Sequence, residues 1–391
     1  MNMSAGRDGS WSPEVAVLLA CARPRLEPDP AARLEVAAGR GIEWARLLEL
    51  AQAHGLSPLL HHHAAASALP IPSRWLSVLK AQVDANTRRA LRFTAALIEV
   101  VDACGAADIP LAPLKGPVLA QQLYGSMALR QTRDLDLLVR QADVPRLVRL
   151  LQARGCHLAN RDTPELDAFT VQDLHHLSVT HPRHRVHIEI HYWLLRPRGR
   201  RSHGFDDIAA RLRPIPFFGR QVQVLDDDAL LVYLCEHGAE HTWSRLEWLA
   251  GVNELRRRTD AAHAATSSFA HELGTTTRVR AAMALAATLL DAGGEQLGHS
   301  PARRSFAANR SVVRRLHREP GRTVGTSAER FFYGLLTDAS VTAVLRRCWT
   351  MLLAPSIGDR RAMPLPRWLL PLLWVLRPFR LIARQLDRRR A

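Results

Sequence analysis

The spacing of hydrophobic residues divides the chain into two helical stretches with a mixed stretch between them. Residues 12–104 carry apolar residues three and four apart, as in WARLLELAQAHGLSPLL and NTRRALRFTAALIEVVDACGA, which predicts helices. Residues 105–225 alternate short apolar runs with amphipathic segments. Residues 226–391 return to helical spacing and end in a basic, apolar tail. We therefore predict an N-terminal helical region, a central core that mixes strands and helices, and a C-terminal helical domain.

The central stretch predicts strands and helices in alternation. The apolar run IPLAPL (109–114) predicts a strand, and KGPVLAQQLYG (115–125) predicts a tight turn into a helix. DLDLLV (134–139) predicts a second strand, and DVPRLVRLLQARG (143–155) predicts an amphipathic helix. Two hairpins are expected after these elements, one pairing HHLSVTH with RVHIEIHYWL and one pairing RPIPF with QVQVL.

Composition indicates a folded protein with an anionic partner or a solvated basic surface. The length of 391 residues predicts two or three structural units, and a content of 47% hydrophobic and 23% charged residues is typical of globular proteins. The net charge of +16 comes almost entirely from arginine, since lysine occurs only at Lys80 and Lys115. Such charge suits exposed helix faces, or a nucleotide, nucleic acid or acidic lipid as partner.

Cysteine usage and hydrophobicity predict a cytoplasmic location. Five scattered cysteines argue against a disulfide framework or a zinc knuckle. The first residues lack the basic and apolar regions of a signal peptide. No apolar stretch reaches about 18 residues, the length at which a membrane-spanning helix is expected.

The stretch RQTRDLDLLVR contains the first candidate chemistry. Asp134 and Asp136 lie two apart on a predicted strand, so their side chains face the same side. Two close carboxylates repel each other, and a divalent cation relieves that repulsion. The pair therefore predicts a site for Mg²⁺ or Mn²⁺ that is presented to a nucleoside triphosphate (NTP). A second Asp-x-Asp, Asp226 and Asp228, stands at a predicted helix start, where we expect capping.

A third carboxylate is predicted on a neighbouring strand. In VHIEIHYW, alternation places Glu189 on one strand face with His187 and His191. Glu189 would complete a cluster of three carboxylates that can hold two metal ions. His191 is expected to orient Glu189 rather than to react. The alternative is the exposed polar face of a hairpin.

Phosphate-binding candidates flank the aspartates. In LKGPVL, Gly116 is predicted at a strand-to-helix turn, where backbone N–H groups at the helix N-terminus bind phosphates. Lys115 adds a cation there. Arg130 and Arg133 precede the aspartates and can meet the phosphates, although each is also consistent with a solvent-exposed side chain.

These segments resemble a known family. PLKGPVLAQQLYGSMALRQTRDLDLLV, VHIEIHYWL and LCEHGAEHTWSRLEWL together resemble the uncharacterised bacterial nucleotidyltransferase family with the DNA polymerase β-like fold. The resemblance runs from about residue 40 into the C-terminal helices and is strongest at 109–195. It implies an α+β protein, with a polymerase β-like core and a small mixed sheet flanked by N- and C-terminal helical domains.

The resemblance also implies an activity. A nucleoside monophosphate would move from an NTP to a small-molecule or protein acceptor, with Asp134, Asp136 and Glu189 as the catalytic, metal-binding carboxylates. Lys115-Gly116 stands where the fold usually has a Gly-Ser or Gly-Gly turn, and Gly125-Ser126 is an alternative for that turn. Gly251 stands near the place where the family often carries an aspartate.

Other interpretations remain open at this point. HGAEH (237–241) matches the H-x-x-E-H pattern of some zinc proteases, which would need a third ligand beside His237 and His241. These histidines can instead line the acceptor pocket or simply pack. A catalytically inactive module of the same fold that binds nucleotide or RNA is a further alternative. Otherwise no nucleic-acid partner is expected, because we recognise no template-binding module.

The tail from Trp368 to Arg390 combines tryptophan, leucine and arginine, which suits contact with an anionic membrane surface. Pro371 and Pro378 interrupt it, so we expect a helix packed on the catalytic domain instead.

Overall fold

The structure is a computed structural model. The residues that it describes are 11–66, 69–158, 176–195, 203–258, 263–291 and 303–338, with shorter pieces between 342 and 380.

Helices form the N-terminal part of the chain, as the apolar spacing predicts. They are α1 (Pro13–Cys21), α2 (Pro28–Gly39), α3 (Trp44–His54), α4 (Ser57–Ala65) and the 34-residue α5 (Ser73–Ala106). Local sequence sets the ends of α3, because the Glu43 carboxylate accepts hydrogen bonds from two N–H groups of its first turn. Gly55 ends the same helix in the left-handed conformation.

A small mixed sheet lies in the centre of the chain, as predicted. Its strands are β1 (Leu111–Pro113), β2 (Leu135–Val139), β3 (His157–Leu158), β4 (His176–His181) and β5 (Val186–His191). The strand order is β1-β2-β5-β4-β3. The β2–β5 pair is parallel and the other pairs are antiparallel.

Helices and a second hairpin complete this central part. Helix α6 (Pro117–Tyr124) connects β1 to β2, and α7 (Val144–Gln152) follows β2. Strands β6 (Leu212–Phe217) and β7 (Arg220–Leu225) form a separate two-stranded antiparallel sheet. Each of these elements lies where the apolar pattern predicts it.

The C-terminal part is helical again. Its helices are α8 (Asp227–Glu240), α9 (Leu246–Arg258), α10 (His263–Glu272), α11 (Thr276–Ala286), α12 (Arg303–Arg318) and α13 (Ser327–Thr337). The predicted capping at the second Asp-x-Asp is confirmed for Asp226, whose Oδ1 accepts a 2.8 Å hydrogen bond from the N–H of Ala229. Asp228 instead accepts a hydrogen bond from Thr266.

The two faces of the five-stranded sheet contact different surroundings. Leu135, Leu137 and Val139 are buried on one face, in a core that includes residues of α5 and α7. Leu138 faces the other way and joins a larger core that includes residues of α6 and α8. Burying each leucine contributes roughly 1.5–3 kcal/mol, so β2 is fixed from both sides. The second face also carries Asp136.

The larger core joins helices of the N-terminal part of the chain to helices of the C-terminal part. It contains buried residues from Trp11 to Leu79 and from Leu225 to Tyr333, so N- and C-terminal helices pack together. The domain boundaries at residues 104 and 225 remain predictions.

Part of the C-terminal tail is described. Residues 372–380 are helical, and Asp359 forms ion pairs with Arg377 and Arg380. Trp374 and Phe379 are 41% and 67% exposed. Across the described ranges, no helix combines the length and the apolar character that a membrane crossing requires.

Candidate active site

Strand pairing brings two of the predicted carboxylates together. In the parallel ladder, Asp136 on β2 is the direct partner of Glu189 on β5. Partners in adjacent strands point to the same face, and His191 lies two residues further along that face. Ligand atoms of Asp136, Glu189 and His191 all lie within 4.8 Å of one another. The sequence predicted that these residues belong to one site, and the pairing of β2 with β5 sets their positions relative to one another.

Asp136 lies between two cationic groups. It is fully buried, with Oδ2 2.7 Å from Lys115 Nζ and Oδ1 3.0 Å from His191 Nε2. Burial acts to raise its pKa, but Lys115 and the hydrogen bond from His191 outweigh burial, so the pKa lies well below its usual value. Burial likewise acts to lower the pKa of Lys115, but Asp136 outweighs it and the pKa is raised. The pair is therefore ionised.

Asp134 lies directly before β2 and is half-buried. It is outside the compact group that Asp136, Glu189 and His191 form. Burial raises its pKa, and the neighbouring charge of Asp136 raises it further. Repulsion of this kind is what a divalent cation relieves, and carboxylate oxygens are the ligands that Mg²⁺ and Mn²⁺ prefer. The donor set thus fits the divalent cation that was predicted from the sequence.

His191 contacts both carboxylates of the compact group. Its Nε2 is 3.0 Å from Asp136 and 3.4 Å from Glu189. Burial acts to lower its pKa, but the hydrogen bonds to Asp136 and Glu189 raise it to about 9. The hydrogen bond from His191 also lowers the pKa of Glu189, so that side chain is ionised. His191 was predicted to orient Glu189, and its shorter contact is with Asp136.

The Lys-Gly turn lies against the start of β2. Gly116 has φ 80° and ψ −151°, a backbone conformation close to exclusive to glycine. A Cβ atom there would lie 3.1 Å from Leu135 Cδ2 and 3.7 Å from the carbonyl oxygen of Asp134. Helix α6 begins at the next residue, so its N-terminal N–H groups start beside the aspartates. Gly125 ends that helix in the left-handed conformation, which favours Gly116 as the phosphate-binding turn.

Three arginines lie near Asp134, and one of them was not predicted from the sequence to belong to the site. Arg130 is buried, and Arg133 is exposed. The third, Arg245, is buried and donates to Gln131 Oε1 at 3.2 Å. Burial lowers the pKa of Arg245 to about 10 despite the ion pair with Glu247, and the charges of Arg133 and Arg130 add to the effect. Mutually repelling arginines are stabilised by an anion. The only signal for Arg245 is its place in the motif HTWSRLEWL.

The HGAEH segment lies at the C-terminal end of α8, near enough to Lys115 for its charge to act on both histidines. The ring of His237 lies 4.7 Å from that of His241, and Trp248 on α9 lies 5.3 Å and 5.2 Å from the two. Burial and then the charge of Lys115 hold the pKa of His237 well below its usual value. Burial and Lys115 lower the pKa of His241 as well. We call His237, His241 and Trp248 the aromatic wall.

Within the part of the chain that the structure describes, the geometry gives the zinc-protease interpretation no third ligand. Two groups of three side chains among the described residues could bind a metal ion, and neither group includes His237 or His241.

Comparison with known proteins assigns the chain to a family. Residues 40–291, more than half of the chain, match the family described as uncharacterised nucleotidyltransferase. The matched segment contains every site residue described above. No curated protein and no solved structure matches the chain.

Proposed function

The chain belongs to the uncharacterised nucleotidyltransferase family and is thus a phosphorus-group transferase, and we propose that the face of β2 and β5 is its active site. The proposed reaction transfers a nucleoside monophosphate from an NTP to a small-molecule or protein acceptor. The observation that carries the proposal is the pairing of Asp136 with Glu189, which puts ligand atoms of both within 4.8 Å on one sheet face.

We assign the binding of a divalent cation to Asp134, Asp136 and Glu189. Mg²⁺, or Mn²⁺ in its place, would supply positive charge that neutralises the triphosphate. The pKa of Asp134 is raised first by burial and then by the charge of Asp136, and the second effect supports this assignment because a cation between the two carboxylates would relieve their repulsion. Lys115 keeps Asp136 ionised at a distance of 2.7 Å. Each carboxylate oxygen has two lone pairs, so a contact with Lys115 or His191 leaves capacity for a cation.

The triphosphate would lie between the Gly116 turn and the arginines. The N–H groups at the start of α6 and the charges of Lys115, Arg130 and Arg133 attract phosphate oxygens. Arg245 extends the same positive region. The lowered pKa of Arg245, caused first by burial and further by the charges of Arg133 and Arg130, supports this placement, because a bound anion would stabilise the charged guanidinium.

During transfer, a nucleophilic group of the acceptor attacks the α-phosphorus, and pyrophosphate leaves. Glu189 either helps to bind a second cation or accepts the proton of the attacking group. Its pKa is lowered by the hydrogen bond from His191, which makes it a weak base and a good cation ligand. We therefore favour the role of ligand for Glu189.

The aromatic wall would contact the nucleobase or the acceptor. His237 and Trp248 are half-buried and His241 is exposed, so their rings offer faces to a planar group. Stacking on aromatic faces tolerates different bases, which leaves the choice of NTP to other contacts.

The test is transfer of label from α-labelled ATP, GTP, CTP and UTP with Mg²⁺ or Mn²⁺ in a host extract. Labelling of an acceptor by the wild type, and not by an Asp134→Asn/Asp136→Asn double variant, would support the proposal and give the acceptor's mass. Nucleotide-dependent thermal stabilisation without transfer would favour an inactive binding module. The contacts that Asp136 makes with Lys115 and His191 are also consistent with such a module. If neither signal appeared, the site assignment would be wrong.

A further inference from the structure

We propose that Glu99, His181 and His184 form a second metal site, separate from the active site, and that its ion is Zn²⁺. Glu99 lies on α5, His181 ends β4, and His184 lies in the turn between β4 and β5. Their ligand atoms all lie within 4.8 Å of one another. The proposal does not depend on the transfer reaction.

The distances are close to those of a four-coordinate zinc site. Glu99 Oε1 is 2.9 Å from His184 Nε2, and Glu99 Oε2 is 3.1 Å from His181 Nε2. Zinc bonds to nitrogen or oxygen are about 2.0–2.1 Å, which puts neighbouring ligand atoms of a tetrahedron roughly 3.3 Å apart. The three ligand atoms lie within 4.8 Å of one another, so adjustment of these side chains would admit the ion, with water as the fourth ligand.

The ligand types select the metal. Two imidazoles and one carboxylate suit Zn²⁺ and related transition metals, whereas Mg²⁺ and Ca²⁺ prefer oxygen ligands throughout. Metal binding uses a neutral imidazole and an ionised carboxylate, which are the ordinary states that these two residue types take up around zinc.

The neighbourhood permits entry of an ion. The Glu99 side chain is 39% exposed, so the site opens to solvent. Arg183 lies 3.2 Å from Glu99 but is 77% exposed, and its flexible side chain can move aside. The N–H of His184 lies 3.5 Å from His181 Nδ1, a long contact that would open when Nδ1 takes the proton as Nε2 binds metal.

The location suggests a structural role. The ion would tie α5 to the turn that precedes β5, and Glu189 on β5 belongs to the proposed active site. Binding to the folded chain raises its stability by mass action. We expect Zn²⁺ to raise the melting temperature and to fix the position of β5, the strand that carries Glu189.

The test uses the full-length, untagged chain freed of metal and titrated with Co²⁺, which reports four-coordinate sites by strong visible absorption. The wild type and the Asp134→Asn/Asp136→Asn double variant should both show this absorption, and Zn²⁺ should displace the Co²⁺. Glu99→Gln and His184→Gln should lose the absorption and the Zn²⁺-dependent rise in melting temperature. His157→Gln, at an exposed histidine on β3, is the matched control and should keep both.

Circular dichroism of each variant separates loss of the site from loss of the fold. Equal Co²⁺ absorption in wild type, Glu99→Gln and His184→Gln would overturn the proposal. So would loss of the absorption in the Asp134→Asn/Asp136→Asn variant, because the ion would then belong to the active site.

Discussion

Substitution of Gly116 by alanine tests the turn that brings the helix N-terminus to the aspartates. Its φ of 80° and ψ of −151° lie in a region that costs other residues about 1–3 kcal/mol. The added Cβ would also lie 3.1 Å from Leu135 Cδ2, so a core leucine or the turn must shift. We expect Gly116→Ala to lower the free energy of unfolding by about 2–3 kcal/mol and to weaken NTP binding.

Gly125→Ala is a matched control at the other end of α6. Gly125 also has a positive φ, 69°, but a Cβ there would meet nothing within 4 Å. The left-handed conformation alone costs about 1 kcal/mol, and the aspartates are not disturbed. Urea denaturation gives the two free energies, and nucleotide-dependent thermal stabilisation reports binding. Equal destabilisation by both variants, with equal NTP binding, would refute the reasoning about the Gly116 turn.

Four further changes have definite expected outcomes. Lys115→Met removes one of the two cationic partners of the buried Asp136 carboxylate, leaving only His191, and should cost about 3–5 kcal/mol in urea denaturation; a cost below 1 kcal/mol would contradict an ionised Lys115–Asp136 pair. Burial lowers the pKa of His54 to about 4, so its stability contribution is present above pH 6.5 and is lost as the pH falls toward 4. Over that whole window the loss amounts to about 3 kcal/mol, and His54→Gln should reduce the difference between denaturation curves at pH 7 and pH 5. Trp248→Ala should raise the KM for the NTP roughly 10-fold with a smaller change in kcat, as expected for the loss of one stacking contact; an unchanged KM would remove the aromatic wall from the nucleotide site. Asp226→Ala removes the N-cap of α8 and should cost about 1 kcal/mol without changing NTP binding, which circular dichroism melting and a binding assay can check.

Local sequence was sufficient for the elements that carry the site. β2 begins one residue later than the run DLDLLV, and Gly116 and Pro117 start α6 where the turn chemistry requires. Asp226 caps α8 because aspartate at that position satisfies an exposed N–H group. These predictions depend on interactions within a few residues, which the sequence displays directly.

Contacts between distant segments could not be predicted in the same way. The pairing of Asp136 with Glu189 depends on which strands become neighbours and in which register, and a shift of one residue would reverse the face. Phosphate binding by Lys115 stays a prediction, and its position 2.7 Å from Asp136 was not foreseen from the sequence. Arg245 reaches Gln131 from 114 positions along the chain. No local pattern encodes these distances.

The core shared by the N- and C-terminal helices has a consequence for synthesis on the ribosome. Buried residues from Trp11 to Leu79 share this core with central residues such as Ala112 and Leu138, and with residues from Leu225 onward, about 150 positions after Leu79. At translation rates of roughly 5–20 residues per second, these last partners are synthesised on the order of 10–30 s after the first helices. Until then the nascent chain exposes the apolar surface that these partners cover, and we expect it to bind chaperones that shield hydrophobic segments near the exit tunnel.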